Sequence, residues 1–267
     1  MPGEKIGRLR RELMRKAKKK VIERYTGRDV HIIRAVNTLE DIDSVFNLLF
    51  EDVREWYSIH FPELERRVKG NETYLNLVAK ICDRAEFTEE NVLAYYDNRE
   101  QAARVAAAAK KSIGSPLKEK DAKRISKLAE KALSLKKQRN ALCSYIESEM
   151  REQMPAFSLL AGAILGARLL NEAGSVKKLA MMPSSTVQVI GAERALFKHL
   201  KTGSKPPKHG LIFQHPLLRR VKRKNRGKMA RTLANKLSIA AKEDFFGKKD
   251  AGGKMLEELE KRAEALS

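Results

Sequence analysis

Three of the five histidines, His199, His209 and His215, fall within seventeen residues, a density that invites comparison with a metal site. No Cys, Asp or Glu stands among them to complete a ligand set, and a neutral imidazole serves equally well to hydrogen-bond phosphate, ribose, a base edge or a loop carbonyl. No metal is expected. Around these histidines the cations recur at helical spacing. Arg194, Lys198 and Lys201 fall at i, i+4 and i+7, Lys205 and Lys208 continue the series, and Arg219, Arg220, Arg223, Arg226 and Lys228 form a second cluster. Residues 194–242 hold fifteen Lys/Arg and not one carboxylate. Like charges repel, so such a stretch calls for an anionic partner, and nucleic acid is the first candidate. A cationic stripe on phosphates sets affinity and salt dependence but not sequence preference. Gln214 and His215 have the hydrogen-bonding edges for a splayed RNA base, and Pro207, Phe213 and Pro216 have flat or apolar faces. Phe213 is better read as an anchor of its loop.

The patterns of an enzyme are missing. The sequence has no G-x-S-x-G, Walker loop, H-E-x-x-H or dinucleotide fingerprint, so neither catalysis nor a cofactor is expected. A membrane surface is the competing anion, but the basic segment is not expected to show the exposed Trp/Phe/Leu face of an interfacial helix. The longest apolar stretch, 157–167, falls short of a span, so no membrane association is expected.

These residues must be carried by helices. The chain has 267 residues, a net charge of +21, 42% hydrophobic, 33% charged and 6% aromatic residues, which suits two mainly helical modules better than one compact β-rich core. Cys82 and Cys143 lie far apart inside apolar helical patterns and read as reduced core residues of a cytoplasmic protein. Leu39, Ile42, Phe46, Leu49, Val53 and Trp56 alternate spacings of three and four, a seam His60 would extend. A second seam runs Ile125, Leu128, Ala132, Leu135, Arg139, Leu142, Ile146. With a turn at Gly114-Ser115-Pro116, these predict a long antiparallel coiled-coil hairpin, with tip helices over 74–85 and 99–113 and an N-cap at Thr88. Leu39, Ile42, Phe46, Leu49, Ile125, Leu128, Leu135 and Leu142 are the expected contacts with a second copy, since a lone hairpin has few apolar layers to share.

Residues 1–25 carry ten Lys/Arg and three Glu, and 1–28 reads as a basic linker helix. The coiled coil occupies 29–150, a compact helical domain 151–247, and a charge-balanced helical tail 248–267. In the compact domain Gly162 and Gly166 form a small-residue stripe for close packing, Gly174 is a C-cap, Pro183-Ser184 opens a helix, and Gly191 interrupts it before Ala192-Glu193-Arg194 begins the next. Residues 201–216, with three Pro and two Gly, read as a structured basic loop. Met229, Leu233 and Leu237 begin another helix.

Several of these stretches resemble a known family. Gly-Ala-Arg-Leu-Leu-Asn-Glu-Ala-Gly (166–174), Lys-Leu-Ala-Met-Met-Pro-Ser-Ser-Thr (178–186), Gln-Val-Ile-Gly-Ala-Glu-Arg-Ala-Leu-Phe (188–197), Pro-Pro-Lys-His-Gly-Leu-Ile-Phe-Gln-His-Pro (206–216) and Arg-Gly-Lys-Met-Ala-Arg (226–231) are similar to the Nop domain of archaeal box C/D ribonucleoprotein scaffolds. Arg-Glu-Trp-Tyr-Ser-Ile-His-Phe-Pro-Glu-Leu (54–64) resembles that family's coiled coil, so the resemblance covers about residues 25–245.

The resemblance implies a non-catalytic scaffold that binds the joint surface of a kink-turn guide RNA and the small core protein on it. It also implies dimerisation through the coiled coil and support for fibrillarin, which 2′-O-methylates ribosomal RNA. It places Gly191, Ala192, Glu193 and Arg194 at the RNA–protein junction, Lys198, Lys205 and Lys208 on phosphates, and Gln214 and His215 on exposed nucleotides. His199, Lys201 and His209 are counted with them. Arg194 stands where the family usually has Lys, which keeps the charge and adds bidentate reach. Met154-Pro155-Ala156-Phe157 departs from the usual Ala-Pro-Asn stretch and is assigned no RNA. Members usually place the fibrillarin-binding domain before the coiled coil. Here Met1 leads directly into the basic helix, so fibrillarin binding is expected of the full-length family rather than of this chain. A spliceosomal member of the same family, acting in pre-mRNA splicing, is the alternative reading, and an all-α RNA-modifying enzyme a more distant one.

Overall fold

The computed structural model describes residues 2–25, 27–96, 98–247 and 252–267, and every regular element among them is helical. In chain order these are α1 (Pro2–Tyr25), α2 (Arg28–Ser58), α3 (Leu64–Arg67), α4 (Asn71–Lys80), α5 (Glu89–Leu93), α6 (Arg99–Lys110), α7 (Glu119–Gln153), α8 (Pro155–Ala161), α9 (Ala163–Ala173), α10 (Val176–Met181), α11 (Ser184–Val189), α12 (Glu193–Thr202), α13 (Pro216–Arg220), α14 (Arg226–Phe246) and α15 (Gly252–Leu266), with 3-10 turns at Arg84–Glu86 and Leu211–Gln214. The fold is therefore all-α, as its composition predicts. Two compact units are formed, one of Leu39–Leu142 and one of 1–38 with 143–267. Residues 248–251, the start of the expected tail, lie outside the described residues.

In the Leu39–Leu142 unit, α2 and α7 run antiparallel. Asp43 of α2 meets Arg139 of α7, and Phe46, one turn further along α2, meets Lys136, one turn earlier on α7. The buried stripe of α2 is Leu39, Phe46, Phe50, Val53 and Tyr57, with half-buried Asp43 between the first two. The expected seam drifts off this stripe. Leu49 is only partly covered, Trp56 is 38% exposed, and Phe50 and Tyr57 take their places. A stripe read as 3-4-3 is here 4-3-4, because Asp43 and Arg139 complete the seam as an ion pair that apolar spacing does not reveal. On α7 the buried set is Ile125, Ala129 and Ala132, with Leu128 and Leu133 half covered beside them.

This corrects part of the expected dimer surface. Leu39, Phe46 and Ile125 are at 0, 6 and 0% exposure within the chain itself and are closed to a second copy. Ile42, Leu49, Leu128, Leu135 and Leu142 are half-buried.

The short helices α3 to α6 close the end of the hairpin. Tyr57 Oη donates to Cys82 O at 2.5 Å, and Ser126 Oγ to Ala79 O at 2.7 Å. His60 is a polar member of the seam. Its Nδ1 lies 2.8 Å from Ser115 O, and its Nε2 accepts from Arg84 N at 3.1 Å. Gly114 is required where the chain turns, because a Cβ there would sit 2.0 Å from His60 O. Thr88 caps α5 as predicted, accepting from Asn91 N. The tip helices are shorter than their sequence patterns, ending at Lys80 and Lys110.

In the other unit α14 is the central helix. Met229, Leu233 and Leu237 are fully buried, as their spacing predicts, against α8, α10, α11 and α15. Asp244 near its end caps α8, accepting from Ala156 N at 3.0 Å and Phe157 N at 2.8 Å. Gly162 and Gly166 turn out to differ. Gly166 packs closely, a Cβ there meeting Met150 Cε at 2.9 Å, whereas Gly162 (φ +77) faces open space and turns α8 into α9 through 113°. Gly174 is the left-handed C-cap of α9. No single helix among the described residues is long and apolar enough to cross a membrane.

Candidate nucleic-acid interface

The turn between α11 and α12 holds a segment of the basic loop against itself. Gly210 N donates to Gln188 O and Leu211 N to Ile190 O, each at 2.8 Å, while Gln188 Nε2 donates to Lys208 O at 2.7 Å. Two glycines make the approach feasible. A Cβ on Gly210 would lie 1.9 Å from Ile190 O, and one on Gly191, whose φ is +81, would lie 2.5 Å from Leu211 Cγ. Lys208 and His209 are thereby delivered beside the start of α12. The first turn of α14 joins them: Gly227 comes within van der Waals reach of the Lys208 side chain, and Arg226 lies 5.5 Å over the Phe213 ring. Phe213 also stacks on His209, centroids 4.4 Å apart and planes 11° from parallel. Phe213, still 36% exposed, is held in its loop by contacts with both Arg226 and His209.

Helix α12 sits at the edge of this convergence, and none of its residues is buried. Arg194, Lys198 and Lys201 are all exposed on one stripe, as predicted. Among the described residues no salt bridge engages them, nor Lys205, Lys208, Arg226 or Lys228. A neighbouring stripe is apolar and open, with Phe197 61% and Leu200 70% exposed. Sequence reading expects no such exposed face here, and the structure corrects it. An amphipathic spacing says which residues share a side of a helix, not whether that side is covered. Glu193 is exposed but locally engaged: its Oε1 accepts Gly191 N at 2.7 Å and steadies the helix start beside the half-buried Ala192. His199 is tied through Nδ1 to Ser204 O at the other end.

His215 is a second correction. It is 7% exposed, its Nε2 lies 2.9 Å from Leu160 O, and its Nδ1 accepts from Leu217 N at 3.2 Å. Both ring nitrogens are engaged inside the fold, where His215 caps α13, so neither is free to hydrogen-bond a nucleotide. Burial pushes its pKa below the ordinary histidine value, with the nearby Arg220 charge adding to the effect. His209 is lowered too, first by burial and then by Arg226 and Lys208. Gln214 is exposed, its Oε1 accepting from Arg168 Nη1 at 2.7 Å. Arg219, Arg220 and Arg223 are exposed on α13 and the turn after it. No group of three or more His, Cys, Asp or Glu suited to a metal exists among the described residues.

The geometry is a cationic, partly apolar surface. Known proteins carry the same sequence order. Residues 38–265 match the family model described as Nop, snoRNA binding domain, fibrillarin. An uncharacterized NOP5 family protein of Methanocaldococcus jannaschii is 45% identical over 249 residues, 93% of this chain and 60% of that protein. Nucleolar protein 56 of Homo sapiens is 38% identical over 240 residues, 88% of this chain and 40% of that protein. The chain thus spans 60% and 40% of the lengths of these two relatives. The crystal structure of a fibrillarin/Nop5p complex contains a chain 26% identical, with a TM-score of 0.55 over 97% of this chain and 78% of that one. With the model matched over most of its length, and with relatives above 30% identity covering most of it, this chain belongs to the Nop family.

Proposed function

We propose that this chain is a non-catalytic scaffold of a box C/D-type ribonucleoprotein. Residues 151–247 dock onto a kink-turn guide RNA already carrying its small core protein, and residues 29–150 form a coiled coil that joins two copies. Such a scaffold would support fibrillarin-dependent 2′-O-methylation of ribosomal RNA. The observation that carries the reading is α12: a helix with no buried residue, whose cationic stripe (Arg194, Lys198, Lys201) lies beside an open apolar stripe (Phe197, Leu200). Bare RNA would leave the apolar stripe wet, and a protein alone would leave the cations unmatched. A surface made jointly of phosphates and protein side chains satisfies both. Lys208 and Arg226, brought together by the Gly191 and Gly210 contacts, extend the phosphate-binding surface.

Gel-shift titration tests this. Kink-turn RNA alone should bind weakly, and prior addition of its cognate small protein should produce a tight ternary complex that Arg194→Glu abolishes. Equal affinity for bare and protein-loaded RNA would overturn the joint-surface reading.

A further inference from the structure

Gln214 closes the 3-10 turn Leu211–Gln214 and is exposed between two anchored neighbours. Phe213 before it contacts His209 and Arg226, and His215 after it is buried with both ring nitrogens engaged. The backbone is tied on both sides as well, Phe213 N donating to Gly210 O and His215 N to Ile212 O, each at 3.0 Å. A further tie fixes the side-chain amide. Its Oε1 accepts from Arg168 Nη1 at 2.7 Å, and Arg168 is carried on α9 between Ala167 and Leu169, both fully buried.

That bond decides what Gln214 can offer a ligand. A surface glutamine amide is ambivalent, since a half-turn about its last torsion exchanges an acceptor for two donors. A guanidinium has donors only, so it suits just one of the two orientations. With the oxygen committed to Arg168, the reversed amide would set donor against donor and forfeit a charge-assisted hydrogen bond. The Nε2 group is left to point elsewhere, and among the described residues no acceptor engages it.

We propose that Arg168 is a positioning residue: it locks Gln214 as a hydrogen-bond donor, so that this point of the surface selects an acceptor on the edge of an unpaired RNA base. The inference rests on the ribonucleoprotein docking proposed above and adds to it a source of nucleotide preference, which the cations of α12 do not supply. Phosphate is the weaker match. Arg226 beside Phe213, and the exposed Arg219 and Arg220 on α13, are charged competitors for it. A neutral amide held in one orientation suits an uncharged carbonyl oxygen or ring nitrogen.

The experiment takes the full chain and kink-turn RNA carrying its cognate small protein, with a panel of such RNAs in which each unpaired nucleotide is replaced in turn. The wild type should lose about tenfold in affinity at one nucleotide. Gln214→Leu should bind the parent RNA about tenfold less tightly and no longer distinguish that nucleotide, its dependence on salt unchanged because no charge is removed. Arg168→Met should relax the same position, and combining the two substitutions should cost no more than Gln214→Leu alone. Arg168→Lys, whose ammonium also only donates, should keep the discrimination that Arg168→Met loses. Thermal melts check the fold, and the exposed Gln214 variant decides the matter by itself if Arg168→Met does not fold. Equal weakening of every panel member by Gln214→Leu would make the pair a brace of the turn and overturn the proposal. A salt slope lowered by about one counterion in Arg168→Met would place Arg168 itself on a phosphate and overturn it too. A wild-type chain that fails to bind the loaded RNA removes the docking reading and this one together, whereas tight binding without any nucleotide preference overturns this one alone.

Discussion

Arg139 of α7 reaches across the hairpin to Asp43 of α2, its Nε donating to Oδ1 at 2.5 Å and its Nη2 to Oδ2 at 3.3 Å. The pair occupies one layer of an otherwise apolar seam, with Phe46 and Lys136 in the next. Both side chains are about one third exposed, which weakens the attraction through solvent screening. Asp43→Ala should therefore cost about 1 kcal/mol, while Asp43→Leu/Arg139→Leu together should equal or exceed the wild-type stability, because the layer becomes apolar. Urea denaturation of the three proteins checks this. A double variant less stable than Asp43→Ala would refute it.

Two glycines separate steric from backbone effects. Gly210→Ala should destabilise the chain by about 3 kcal/mol or more, since its Cβ would lie 1.9 Å from Ile190 O and 2.7 Å from the Val189 carbonyl, neither of which can move freely. Gly203→Ala has open space but φ +66, so only strain of about 1 kcal/mol is expected. Comparable losses at the two sites in thermal melts would contradict the close-approach argument.

Acid should loosen the unit containing α14. Burial holds the His215 pKa below its ordinary value of 6.5, so the unfolded chain takes up the proton first as pH falls. Stability from this group is complete above about pH 6.5 and is lost as pH drops through the window between that value and the lower folded one. His209 adds in the same direction. Denaturation midpoints measured from about pH 7.5 down to about pH 5 should fall, and His215→Gln should flatten the profile. A parallel profile in the variant would show that the histidine is not responsible.

Phe197→Ala should leave the fold intact, since the side chain is 61% exposed. Affinity for RNA alone should be unchanged, whereas assembly with the protein-loaded RNA should weaken by about 1–3 kcal/mol. Lys198→Ala should act on both and reduce the salt dependence of binding by about one counterion. Normal assembly by the Phe197→Ala variant would assign the apolar stripe no role.

The all-α architecture, the turn at Gly114 and the cationic stripe of α12 were legible because each rests on local pattern: period, turn residues and charge. Tertiary facts escaped. Tyr57 and Phe50 replace Trp56 and Leu49 in the seam because the partner helix, not the sequence of α2, decides which edge of a broad apolar stripe faces inward. His215 reads as polar and loop-borne, hence available, yet it is enclosed at Leu160 O, fifty-five residues away. Phe197 and Leu200 read as apolar, hence covered, yet nothing folds over them. Gly210 carried a hint: a glycine between His209 and Leu211 marks a place where another backbone passes close.

A ten-residue helix with no side chain in a core has few sources of order. Isolated helices of this length are marginal in water, and α12 is held chiefly at its ends, by Glu193 on Gly191 N and by the left-handed Gly203 whose N–H returns to His199 O. Its amides should accordingly exchange with solvent deuterium far sooner than those of α14. Protection would arrive only with the partner, so that part of the attraction is consumed in freezing the helix and the assembled particle, rather than the free chain, sets how firmly this edge is defined.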